Sequence, residues 1–139
     1  MQATNAYSVG SGTITLNGGT FQMQAPTISS VAFSNTIAVN AAGGTVDANG
    51  AQVNLQGVIA DGTGAGNLHL NNTGSSGANV QLSGINTYSG GTLVDLTTAV
   101  VTNSRSVGTG TVTLQNAKFQ AGGASNLTLA LTTASAEIK

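Results

Sequence analysis

Catalysis and metal binding need ionisable groups brought close together, and this chain has few of them. Asp47, Asp61, Asp95 and Glu137 are its acids, Arg105, Lys118 and Lys139 its fixed cations, and His69 its one histidine. General acid–base work needs an imidazole or carboxylate within reach of a second group, and these residues are scattered through the sequence. His69 lies between Leu68 and Leu70, so alternation points it outward, with no second ligand at metal spacing. Asp47 and Asp61 fall in Gly-rich turns, where turn chemistry accounts for them. The stretch DGTGAGN, Asp61 to Asn67, lacks the second carboxylate of a calcium loop. GSGT at Gly10 to Thr13 and GTGT at Gly108 to Thr111 lack the Lys and the following helix of a phosphate loop. The many serines have no His and acid at triad spacing. The residues therefore give no catalytic, cofactor-binding or metal-binding set, and an enzyme ranks last among the readings.

Composition narrows the rest. The chain has 139 residues, 40% apolar and only 5% charged, with a formal net charge of -1. Charged residues make up about a quarter of an average domain; here Thr, Ser, Asn, Gln and 20 Gly take their place. Three cations are too few to meet a phosphate backbone, which excludes a nucleic-acid partner. The absence of Cys excludes disulfides and thiolate metal sites. No apolar run approaches the ~20 residues of a membrane-spanning helix. The segment after Met1 has neither the basic nor the apolar region of a signal peptide, so a secreted parent implies an internal slice with an added start Met.

The elements that carry these residues are strands. Apolar and polar residues alternate in TITL (Ile14, Leu16), TFQMQ (Phe21, Met23), TIAVN (Ile37, Val39) and QVNLQ (Val53, Leu55). The pattern continues in NLHLN (Leu68, Leu70), NVQLS (Val80, Leu82), TVTLQ (Val112, Leu114) and LTLAL (Leu127, Leu129, Leu131). Such alternation marks half-buried strands with these residues inside. Turns rich in Gly and Asn separate them, and no stretch reads as a helix.

The chain also repeats itself. TNAYSVGSGTITLNGGTFQ, Thr4 to Gln22, returns as TNSRSVGTGTVTLQNAKFQ, Thr102 to Gln120. Ile37 to Asp47 resembles Leu129 to Lys139. Strand units recur roughly every twenty residues, which is compatible with the coils of a parallel β-helix. That architecture explains the composition. Outward residues form rows along the axis, where like charges would repel and Thr, Asn, Gln and Ser can form hydrogen-bonded ladders.

The most patterned stretch is VQLSGINTYSGGTLV, Val80 to Val94. With the VGTGTVTL that follows at Val107 to Leu114, it resembles the passenger-associated transport repeat, also called the autotransporter-associated β-strand repeat. Leu82, Ser83, Gly84, Asn86, Thr87, Tyr88, Ser89, Gly90, Gly91 and Thr92 match the first half of the family pattern. Val107, Gly108, Gly110, Thr111, Val112, Thr113 and Leu114 match the second. The best-matching repeat spans residues 80–120, and a second, partial one spans 3–22. The chain departs from the pattern at Asp95 to Asn103, which lacks the usual Gly-containing link, and at Gln115 to Phe119, where QNAKF replaces a Gly-Gly turn. In the motif itself, Gly84, Gly90 and Gly91 permit a corner, and Asn86, Thr87 and Ser89 are expected to satisfy its backbone. Tyr88 is expected to cover the coil edge with its hydroxyl in water.

The resemblance implies an all-β fold, a right-handed parallel β-helix segment, as a single slice over residues 1–139 of a longer type V secreted passenger. It implies a cell-surface location outside the outer membrane and a role in passenger translocation and folding. The partners it implies are flanking coils of the same passenger and that passenger's membrane β-barrel during export. Two other function classes compete. One is an adhesin face using outward Thr and Asn rows on a glycan or host surface. The other is an ice-binding solenoid, prompted by TIT and TVT, which stand too far apart for successive coils.

Overall fold

The structure, a computed structural model, describes residues 1–24, 29–75 and 77–123. Short strands follow one another around a solenoid. β1 (Gln2–Ala3) precedes a single 3-10 turn at Ala6–Val9. Three coils then run β2 (Ile14–Leu16), β3 (Thr20–Met23), β4 (Ser30–Phe33); β5 (Ile37–Val39), β6 (Gly44–Asp47), β7 (Gln52–Leu55); and β8 (Ile59–Asp61), β9 (Leu68–Asn71), β10 (Asn79–Leu82). Two further coils have two strands each: β11 (Thr92–Asp95) with β12 (Thr98–Val101), and β13 (Val112–Gln115) with β14 (Lys118–Ala121).

Each strand pairs in parallel with its counterparts on neighbouring coils, which gives three sheets. The first holds β1, β3, β6, β9, β11 and β13; the second holds β4, β7, β10, β12 and β14; the third holds β2, β5 and β8. The chain advances by 20 residues per coil from Gln2 to Gln22 and by 25 from Gln22 to Asp47. Parallel β-solenoid architecture, with about five coils and almost no helix, is therefore the fold.

Register follows from the apolar alternation, because a one-residue slip would turn every core side chain outward. Val31, Val53, Val80 and Ala99 form one inward row, and Phe33, Leu55, Leu82 and Val101 form the next. All eight are buried, as are Ile14, Leu16, Ile37, Val39, Leu68 and Leu70. Val112 and Leu114 point inward but are only half-buried in the last described coil. Phe21 and Phe33 meet edge to face across the core, with ring centroids 5.0 Å apart. Leu127, Leu129, Leu131, Glu137 and Lys139 lie outside the described residues.

The two copies of the internal repeat fold alike where they begin. Ser8 Oγ accepts from the Thr4 and Asn5 amides at 3.1 Å, and Ser106 Oγ accepts from those of Thr102 and Asn103 at 3.2 and 3.1 Å. The side chain of Asn5 accepts from Tyr7 N at 2.8 Å, and that of Asn103 from Arg105 N at 2.9 Å. Gly10 and Gly108 close the two turns with φ of 64° and 69°.

Candidate functional site

The stretch Ser83 to Thr92 forms the corner of the fourth coil, where the third sheet has run out. The backbone ladder of that sheet goes Ile14 N to Thr36 O, then Ile37 N to Val58 O, both at 2.9 Å. One coil later Ile59 N finds a side chain instead, donating to Asn86 Oδ1 at 2.8 Å. Asn86 is buried. Its Nδ2 donates to Ser106 O at 2.5 Å, and its own amide donates to Arg105 O at 3.1 Å. One amide side chain thus stands in for its own coil's missing carbonyl, accepts from the coil before and grips the coil after.

Tyr88 corrects the expectation of a wet hydroxyl at the coil edge: it is fully buried. The cause is Thr92, which the register places in the inward row beside Leu68 and Val112. Thr92 Oγ1 donates to Val107 O at 3.3 Å, and that uses its only proton. Tyr88 OH therefore donates to Thr92 Oγ1, at 2.5 Å. Burial pushes the phenol pKa well above its ordinary value, against the opposing pull of Thr92, so the hydroxyl stays a donor.

Ser89 and Asp61 form an exposed tie between coils: Asp61 accepts from Ser89 N at 3.0 Å and from Ser89 Oγ at 2.7 Å. Thr87 is exposed and its amide donates to Ile59 O at 2.9 Å. Asn86 and Ser89 were expected to satisfy the corner's own backbone, but they bond to other coils, because the tightest neighbours here lie along the axis. The same closeness explains two of the motif glycines. A Cβ on Gly90 would strike the backbone of Gly66, and one on Gly84 the carbonyl of Gly57, both on the preceding coil. Gly108 lies against the Tyr88 ring, and Gly110 against Gly91. Thr111 O accepts from Thr92 N at 2.8 Å, while Thr113 is exposed on β13. Leu82 is buried and Ser83 Oγ donates to Asn54 Oδ1 at 2.8 Å.

The departures from the repeat pattern have local solutions. Leu96 and Asn116 take the left-handed backbone, with φ of 55° and 49°, at the β11–β12 and β13–β14 turns. Asn adopts that conformation readily, whereas Leu does so under strain.

Asp47 is more than a turn residue. It ends β6 and is 2% exposed, and the groups that shift its carboxyl include no cation. Its Oδ1 accepts from Asn49 N and Thr73 N, both at 2.9 Å, and its Oδ2 from Gln22 Nε2 and Thr73 Oγ1 at 2.8 and 2.5 Å. Burial pushes the carboxyl pKa up, but the bonds from Thr73, Gln22 and Asn49 together outweigh it and hold the pKa below 3.8. The Asx turn to Asn49 was legible in the sequence; the clamp across three coils was not, because Gln22 and Thr73 are distant in the chain.

His69 and Asp95 stand on the outward side of the first sheet, on β9 and β11, and both are half-buried. Among the described residues, no group of three or more His, Cys, Asp and Glu is placed to hold a metal ion. Comparison with protein-family models, curated proteins and solved structures finds no match to this chain.

Proposed function

We propose that this chain is a structural and transport module of a type V secreted surface passenger, acting outside the outer membrane without catalysis. The resemblance of Val80 to Leu114 to the passenger-associated transport repeat motivates the reading. The observation that carries it is Asn86, whose hydrogen bonds are all to neighbouring coils. Such a corner has no partner for its side-chain NH2 until the next coil has arrived. A coil that has folded outside offers a template to the one emerging after it. Burial of inward Leu, Val and Ile, at about 25 cal/mol per Å2 of apolar surface, then biases the chain outward with no nucleotide. Few ionised side chains need to pass through the barrel, since only 5% of residues are charged.

The test is deletion of Val80 to Gln120 from the passenger together with its membrane barrel, expressed in a Gram-negative host. Surface passenger, read by external protease access and antibody labelling, is expected to fall. Any activity per displayed molecule is expected to stay unchanged. Normal display with lost activity would overturn the reading.

A further inference from the structure

The outward face of the first sheet is recessed, unlike a bare solenoid wall. Gln22, Asp47, Asn71 and, by continuation of the register, Asp95 form one row along the axis. Thr45, His69 and Leu93 form the row beside it. Thr73 stands over the first row and is bonded to Asp47. The turn at Ala41 and Ala42 and the loop through Ala65 to Asn67 border the second. Two adjoining depressions of about 450 and 420 Å³ result, and His69 lines both.

Three polar atoms on this face are shut off from solvent and have no hydrogen-bond partner: His69 Nε2 and Asn71 Oδ1, whose residues line the recess, and Asp95 Oδ1, one coil further along the Asn71 row. They are the only such side-chain atoms among the described residues. A buried polar atom without a partner costs free energy, and native proteins leave few of them. These three lie on adjacent strands. Each alternates with a buried Leu or Val, so each projects away from the core.

We propose that this recess is a binding shelf for a neutral glycan lying along the solenoid axis. The chemistry of the floor selects the ligand class. The described cationic side chains, Arg105 and Lys118, lie off this face, on the Asn103 turn and on β14 of the second sheet. The Met1 ammonium at the rim of the second depression already donates to Thr20 O at 2.9 Å, so a phosphate or an acidic sugar would meet Asp47 and Asp95 on this face with only that one cation to offset them. An ammonium chain would find a single free carboxylate, since Asp47 is already met by four donors. A bound peptide strand would need a sheet edge for its backbone, and this is a sheet face. Sugar hydroxyls donate and accept at once, which matches a floor of imidazole, primary amide, hydroxyl and carboxylate. Parallel coils set these groups one after another along the axis at a spacing of ~4.8 Å, comparable to a pyranose ring. The floor has no Phe, Tyr or Trp to stack on a sugar, so the affinity is weak.

The shelf is independent of the transport role and fails or stands separately from it. Its test is NMR titration of the whole chain with short gluco-, galacto- and chito-oligosaccharides, with spermidine and an oligogalacturonate as charged comparators. The expected result is saturable shifts of the His69 ring and Asn71 side-chain amide with at least one neutral series and with neither charged probe. Asn71→Ala and Thr45→Val should each weaken that binding about two- to tenfold, the loss of one net hydrogen bond. Thr15→Ala, on the third sheet, should leave it unchanged. Absence of saturable shifts with every neutral series would overturn the proposal. So would stronger binding of either charged probe, or unchanged binding in an Asn71→Ala/Thr45→Val double variant whose spectrum remains folded.

Discussion

At the scale of the residue, two polar side chains hold more of this fold than their types suggest. Asn86→Ala would leave the Ile59 amide and the Ser106 carbonyl without partners in the core. At about 1–3 kcal/mol for each unmet buried group, the expected loss is about 2–6 kcal/mol. Urea unfolding should find it, and a loss below about 1 kcal/mol would mean that water replaces the side chain. Asp47 predicts a pH response. Its folded pKa lies below the ordinary 3.8, so the stability from the ionised carboxylate is fully present above that value. It is lost as pH falls through the folded pKa. The urea midpoint is expected to drop below about pH 4 in the wild type. Asp47→Asn should be less stable at pH 7 and lack that component of the drop. Equal acid slopes in the two proteins would refute the clamp. Neither role was readable from the chain, because Asn86 and Asp47 find partners a full coil away, where sequence spacing gives no guidance.

At the scale of the element, alternation carried most of the information. Ile14, Val53, Leu68 and Val80 are inside because polar neighbours flank them on both sides. Leu82→Ala is expected to cost about 2–5 kcal/mol, whereas Thr113→Ala, outward on β13, should cost less than about 1 kcal/mol. Chemical denaturation of the two variants distinguishes inside from outside, and equal losses would contradict the register. Strands were missed where the signal is short or blurred. β12 reads TAVV, with three apolar residues in a row, and β8 reads IAD, only three residues long with Ala60 between Ile59 and Asp61. Pairing with neighbouring coils, not local pattern, makes these segments strands. The turn before β12 was equally hidden, since Leu96 does there what Asn116 does one coil later. Left-handed backbone costs a Cβ-bearing residue roughly 1–2 kcal/mol, and less for Asn. Leu96 is also exposed and gives up little packing when replaced. Leu96→Asn is therefore expected to stabilise the protein by about 0.5–1 kcal/mol, read as a higher thermal midpoint. A lower midpoint would show that the Leu96 side chain has a partner the turn geometry does not reveal.

At the scale of the whole molecule, every sheet runs along the axis and every strand touches only the coils beside it. Stability in such an array is close to a sum of coil terms and nearest-neighbour terms. Cooperativity between the two ends must then pass through the middle. Leu70 sits there, fully buried on β9, with Val46 and Val94 on either side. Leu70→Ala removes about 2–5 kcal/mol from that one coil and leaves the contacts of the outer coils untouched. The wild type is expected to lose amide protection along its length in a single transition as urea rises. In Leu70→Ala the coils built from β2 to β7 and those from β11 to β14 should lose protection at separate urea concentrations. Hydrogen exchange read by mass spectrometry resolves the two segments. Loss of both at one shared midpoint would mean that the coils are coupled beyond their neighbours. It would also remove the physical basis for a passenger that folds one coil at a time as it emerges.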